Sequence, residues 1–140
     1  MNDEIREVMT PMPCTVPSNV SVVYAARAMR ENDIGTVVVV DEERLFGIVT
    51  DRDIVVRVLA EELDPRATTV ADICSRNLTT VKPTDSIASA VRLMRDKALR
   101  RLPVVEDDGS IVGILSLGDL AVGRDRRSTL GDISAAPPNL

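Results

Sequence analysis

The 140-residue chain is expected to fold as an α/β (α+β) protein, two β-α-β-β-α repeats packed sheet to sheet with pseudo-twofold symmetry. Three observations lead there. Apolar residues change period along the chain, from helical spacing at Val22, Ala25, Ala26 and Met29 to an unbroken β-branched run from Val37 to Val40. The whole order recurs, because residues 8–42 align with 73–107 at an offset of 65 and residues 44–54 with 110–120 at 66. Each copy also closes on the same corner, LFGIVTDRD at 45–53 and IVGILSLGD at 111–119.

The elements follow from local chemistry. Residues 2–10 can form a short amphipathic turn with Ile5, Val8 and Met9 on one side, and Pro11 and Pro13 stop it. Cys14 to Val16 is a short extended piece. Ser21 is a helix cap, and the helix behind it runs to about Asn32. Val37 to Val40 is too short for a helix and too apolar for an exposed strand. Asp41-Glu42-Glu43-Arg44 makes a turn, Leu45 to Val49 the next strand, and a helix from Thr50 is expected through Ile54, Val55, Val58 and Leu59 to about Leu63. The second half repeats this, with Thr15/Thr80, Ser21/Ser86, Met29/Met94, Gly47/Gly113 and Asp53/Asp119 among the identities. Its one extra residue falls at Asp108-Gly109, a turn where an insertion does least harm.

The repeat boundaries are placed at 1–67 for the first copy with its lead-in, 68–123 for the second, and 124–140 for a C-terminal extension rich in Arg and Pro. A copy of about 60 residues is small for covering both faces of its sheet, so a core shared between the two is expected, with two related clefts.

At each corner a strand runs into a helix cap. Thr50 and Ser116 can accept from backbone N–H groups of the helix, while Asp53 and Asp119 can reach back to the cap's own N–H. One such S/T-x-x-D is commonly a cap and nothing more. Two in matching context make a ligand site plausible: a helix start can hold an anion, and an Asp beside it can accept from sugar hydroxyls.

Composition excludes several classes. With 44% hydrophobic and 28% charged residues the chain is ordinary globular protein. One Tyr, one Phe and no Trp leave no stacking platform for single-stranded nucleic acid. A net charge of -5 disfavours nonspecific attraction to nucleic acid or anionic membranes. Residues 1–67 carry 7 basic and 13 acidic side chains and residues 68–140 carry 10 and 9, so an anionic ligand is expected to find its cations in the second half. The absence of His removes the usual zinc ligand and general base. Cys14 and Cys74 lack redox or zinc spacing and read as reduced, partly buried residues. No apolar run approaches a membrane span, and cytoplasmic location is the expectation.

With the β-α-β-β-α unit occurring twice and ending in G-I-V-T-D-R-D and G-I-L-S-L-G-D, the sequence resembles a stand-alone pair of cystathionine-β-synthase (CBS) domains, a Bateman module, from about Val8 to Val122. The resemblance implies clefts between the repeats that bind an adenosine-containing ligand such as AMP, ADP, ATP or S-adenosylmethionine. The better site would take Ile48 against adenine, Thr50, Arg52 and the ribose-binding Asp53, with Leu78 and Thr79 reading the adenine edge, Arg100 and Arg101 toward phosphate, and Pro103 against the base. The second would use Ile114, Ser116 and Asp119 with Pro13, Cys14, Thr36 and Val38. It is the weaker expectation, because Gly35 and Thr36 stand where the other site has Arg100 and Arg101. The resemblance also implies a homodimer through helical faces, for which Val55, Val58 and Leu59 are expected to be exposed, and an unknown protein partner.

Three function classes remain distinguishable. A non-enzymatic sensor would bind the ligand and signal through altered packing of the repeats, with no required cofactor. A constitutive dimeric interaction module would have vestigial clefts. An enzyme is disfavoured, because the chain has no His, no metal-ligand cluster, no P-loop and no G-x-S-x-G.

Overall fold

The computed structural model describes residues 3–124, so the extension beyond 124 lies outside the described residues. After a 3-10 turn at Ile5–Glu7 the elements are β1 (Thr10–Pro11), β2 (Thr15–Pro17), α1 (Val22–Asn32), β3 (Thr36–Asp41), β4 (Arg44–Thr50), α2 (Asp51–Ile54), α3 (Val70–Ile73), α4 (Ile87–Lys97), β5 (Arg101–Val105), β6 (Ile111–Ser116) and α5 (Leu117–Arg124). Ser21 and Ser86 cap α1 and α4 by accepting from Tyr24 N (3.3 Å) and Ser89 N (3.0 Å). Both helices end on a left-handed residue, Asp33 (φ 54°) and Ala98 (φ 53°).

The chain divides into two compact units. Pro13–Leu78 with Asp108–Ser110 make one, called here the Asp53 unit; of the described residues 3–12, Thr79–Asp107 and 111–124 make the other, the Asp119 unit. These units do not follow the boundary of the sequence repeat at 67/68. The leading segments are exchanged. β1 precedes the first repeat yet pairs antiparallel with β6 of the second, Thr10 opposite Ile114 and Pro11 opposite Gly113. In the Asp53 unit the matching place is filled by Ser75, whose N–H and C=O pair with Ile48 at 2.9 and 3.0 Å.

The sheet of the Asp53 unit is ordered β2-β3-β4, with β2 parallel to β3 and β3 antiparallel to β4. The Asp119 unit has β1-β6-β5, and Val81 adds a parallel bridge to Val104. Glycine is dictated where the leading segments lie against these sheets. A Cβ on Gly47 would stand 2.6 Å from Cys74 Sγ and 2.8 Å from the Ser75 carbonyl oxygen. On Gly113 it would stand 2.5 Å from Met9 Sδ and 3.0 Å from the Thr10 carbonyl oxygen.

Buried side chains form one cluster in each unit. Val16, Val37, Val39 and Val49 of the Asp53 sheet pack with Val22, Ala25, Met29, Val58, Val70 and Ile73 from its helices. Leu102, Val104 and Leu115 pack with Ile5, Ala90, Met94 and Leu120 in the other unit. The exchanged segments help close these cores, since Ile5 and the pair Val70 and Ile73 are supplied from outside the repeat they complete.

The helix expected from Thr50 to Leu63 also differs. α2 is a single α-turn that widens into a π-helical stretch, Val55–Leu59, with Ala60 N donating to the Val55 carbonyl (2.9 Å) and Leu63 N to that of Val58 (3.0 Å). Five-residue spacing changes which side chains turn inward. Val58 is fully buried and not an exposed contact residue, whereas Val55 and Leu59 are exposed as expected and Val56 joins them.

Two opposite exchanges test the backbone account by urea unfolding. Ala98→Gly relieves a left-handed alanine and is expected to stabilise by about 1 kcal/mol. Gly47→Ala forces a backbone contact apart and should destabilise by about 2 kcal/mol or more. Shifts of the same sign in both variants would contradict it.

Candidate functional site

The corner at the end of β4 is built by reciprocal capping. Thr50 Oγ1 accepts from Asp53 N (3.1 Å), and Asp53 Oδ2 accepts from Thr50 N (2.9 Å). Asp51 completes the pattern, its Oδ1 accepting from Arg52 N (2.8 Å) while its own N–H donates to the Gly35 carbonyl (2.9 Å). All three N–H groups at the start of α2 therefore have protein acceptors. The anion-holding helix start anticipated from sequence is closed here, and phosphate binding at this corner would have to come from side chains. The second carboxylate oxygen of Asp53 is differently placed: the nearest cation, Arg57 Nη2, lies 3.7 Å from Oδ1, beyond hydrogen-bond reach. Arg57 is held instead by the Ile73 carbonyl, to which Nη1 donates at 2.6 Å.

The β6 corner has the same core and different surroundings. Ser116 Oγ accepts from Asp119 N (3.1 Å), and Asp119 Oδ2 accepts from Ser116 N (2.9 Å). Leu117 stands in the place of Asp51, so the Gly118 N–H has no acceptor among the described residues. Asp119 Oδ1, unlike its counterpart, accepts a hydrogen bond from Thr10 Oγ1 at 3.0 Å.

Each unit gathers half of each expected site. In the Asp53 unit, Val38 and Ile48 are cross-strand partners, as are Thr36 and Thr50. Val38 N donates to the Cys14 carbonyl (2.9 Å), which brings Pro13 and Cys14 to the same sheet. Val38 and Ile48 are buried yet absent from the unit's core, because alternate strand residues point to opposite faces. In the Asp119 unit, Pro103 pairs with Ile114 and Arg101 with Ser116 in the same way. Leu78 and Thr79 lie in the irregular segment before Val81.

Charge separates the two segments that lead into β3 and β5. Arg100 and Arg101 are exposed and, among the described residues, pair with no carboxylate. Their counterparts Gly35 and Thr36 sit beside Asp51, whose Oδ2 would lie 2.9 Å from a Cβ on Gly35. That acidic neighbour disfavours phosphate. Thr36 Oγ1 is buried without a hydrogen-bond partner in the structure. Arg52 is exposed on the first turn of α2.

Neither cysteine is disulfide-bonded, and both are half-buried. Burial pushes the Cys74 thiol above its ordinary range, against the opposing pull of Arg76 and Arg57. At neutral pH it is a thiol packed on Gly47, not a nucleophile. Arg76 also lies over the Phe46 ring, 3.8 Å from its centroid.

Two corners of this kind, closing two similar sheets, meet one family description. The CBS domain family model matches residues 5–60 and again 70–122. The chain belongs to the CBS domain family. As a tandem CBS pair it is 38% identical over 116 residues to the uncharacterized protein MK0525 of Methanopyrus kandleri, covering 82% of this chain and 57% of that protein. With the CBS domain-containing protein YhcV of Bacillus subtilis it shares 36% identity over 127 residues, covering 91% and 89%.

Solved CBS structures superimpose along most of the chain. Hypoxic Response Protein I, crystallised with two coordinated zinc ions, is 34% identical with a TM-score of 0.76 over 84% of this chain and 96% of that one. The CBS domain pair of protein MJ0100, in complex with 5-methylthioadenosine and S-adenosyl-L-methionine, gives 26% and 0.77 over 89% and 98%. PAE2072 from Pyrobaculum aerophilum, complexed with AMP, gives 28% and 0.73 over 84% and 89%. The present chain has no His, and among its described residues no group of three or more Cys, Asp or Glu is placed to hold a metal ion. Among the same residues no helix is long and apolar enough to cross a membrane.

Sequence reasoning missed Thr10, Arg57 and Asp51 as neighbours of the capping groups. Asp51 was visible one residue past Thr50; the other two depend on contacts between distant segments.

The cap account predicts that Thr50→Ala destabilises by about 1 kcal/mol and Thr50→Ser by only a few tenths, read from denaturant midpoints. Equal losses in both variants would show that the hydroxyl is not the stabilising group.

Proposed function

We propose that this CBS pair is a non-enzymatic regulatory module that binds an adenosine-containing ligand, of the class of AMP, ADP, ATP or S-adenosylmethionine. The observation that carries the proposal is Asp53 Oδ1, an oxygen of a half-buried carboxylate without a hydrogen-bond donor among the described residues, fixed in place because its sister oxygen is held by the Thr50 N–H. Such an oxygen suits the vicinal hydroxyls of ribose. The complexes of MJ0100 with S-adenosyl-L-methionine and of PAE2072 with AMP support the ligand class.

In this reading Thr50 and Asp53 hold the ribose, and Ile48 and Pro103 contact adenine with Leu78 and Thr79 beside it. Arg100 and Arg101, without carboxylate partners among the described residues, take phosphate; Arg52 is a further cation for it. The site formed by Pro13, Cys14, Thr36, Val38, Ile114, Ser116 and Asp119 is the weaker of the two toward phosphate, with Asp51 beside Thr36. A ligand held by residues of both repeats would favour one arrangement of them, and a protein partner sensitive to that arrangement would read the signal. Val55, Val56 and Leu59 form an exposed apolar strip that suits a homodimer.

Calorimetric titration with AMP and S-adenosylmethionine tests the assignment. Asp53→Asn is expected to weaken both ligands by about 10-fold or more, and Arg101→Ala to weaken AMP by about 10-fold with little effect on S-adenosylmethionine. Equal affinity in wild type and both variants would remove these residues from the site. No binding of either ligand by a well-folded dimer would favour the constitutive interaction module.

A further inference from the structure

The two corners are alike in sequence and in capping, yet they differ at the one carboxylate oxygen left over for a ligand. Among the described residues Asp53 Oδ1 has no hydrogen-bond donor, whereas Asp119 Oδ1 already accepts from the Thr10 hydroxyl at 3.0 Å. The difference does not come from the backbone. Thr10 and Ser75 hold equivalent places, each opposite the isoleucine of its terminal strand, Ile114 or Ile48. Among the described residues the Ser75 hydroxyl makes no hydrogen bond to Asp53.

From this we infer that Thr10 is a specificity-determining residue, an internal competitor that weakens the Asp119 corner toward a ribose-type cis-diol and leaves the Asp53 corner dominant. The inference rests on the nucleotide-binding reading above. A diol that donates to Asp119 Oδ1 must displace or share the bond from Thr10, so part of its gain is cancelled. The competitor is built in, because pairing of β1 with β6 holds Thr10 beside the carboxylate whether or not a ligand is present. Thr10 is itself exposed, so its hydroxyl, once displaced, is satisfied by water and the penalty stays modest.

The test isolates the Asp119 corner in an Asp53→Asn background and adds either Thr10→Val, which keeps the shape and removes the donor, or Thr10→Ser, which keeps the donor. AMP and S-adenosylmethionine are titrated calorimetrically into each variant and into wild type, after unfolding midpoints confirm that all are folded. The valine double variant is expected to bind about 3- to 10-fold tighter than Asp53→Asn alone, and the serine double variant to match Asp53→Asn. Adding Asp119→Asn to the valine variant should abolish the gain. If wild type binds and the valine and serine variants are indistinguishable, the role of Thr10 is refuted while the nucleotide reading stands. If neither wild type nor any variant binds either ligand, the nucleotide reading fails and takes this inference with it.

Discussion

The demand of N–H groups for acceptors where a strand turns into a helix organises both halves of the molecule. At each corner one hydroxyl and one carboxylate satisfy it reciprocally, Thr50 with Asp53 and Ser116 with Asp119. The consequence reaches beyond stability. A carboxylate held through one oxygen cannot turn away, so its other oxygen is presented in a fixed direction with little further ordering to be done on binding. The fate of that second oxygen then separates the corners.

The capped corners are positioned by an exchange of leading segments. β1 lies against the strand that leads to Asp119, and Ser75 against the strand that leads to Asp53. Both approaches are close enough to require glycine at Gly113 and Gly47. The exchange also supplies core residues, with Ile5 completing one cluster and Val70 and Ile73 the other. Each repeat thus depends on chain that precedes the other, and changes at the lead-in reach the carboxylate of the opposite repeat, as the bond from Thr10 to Asp119 shows.

Much of this was legible in the sequence, and the boundary of legibility is physical. The strands from Val37 and Leu45, the Ser21 cap and the two S/T-x-x-D corners depend on neighbours within a few residues, so spacing revealed them. The offset of 65 gave the repeat, and with it the family. Residues brought together across more than a hundred positions leave no local pattern, which is why Thr10 was read only as the end of a lead-in. Val58 was misplaced for a different reason: its exposure was expected from the dimer face that the family resemblance implies, and the i to i+5 bonds of this stretch turn it into the core. That each leading segment completes the core cluster of the other repeat was not legible, because no local pattern records which sheet a segment joins. For the candidate site, residue types were readable, but the saturation of the N–H groups at α2 by Asp51 and Thr50 required coordinates.

The central claim is that these corners hold an adenosine-containing ligand. Native mass spectrometry of gently purified protein, before and after addition of AMP or S-adenosylmethionine, tests it most directly because it reports subunit count and retained small molecules together. The account predicts a dimer carrying added mass equal to the ligand, with fewer than two ligands per chain at limiting concentration. A spectrum of folded protein with no added mass at saturating concentrations of either ligand would contradict it.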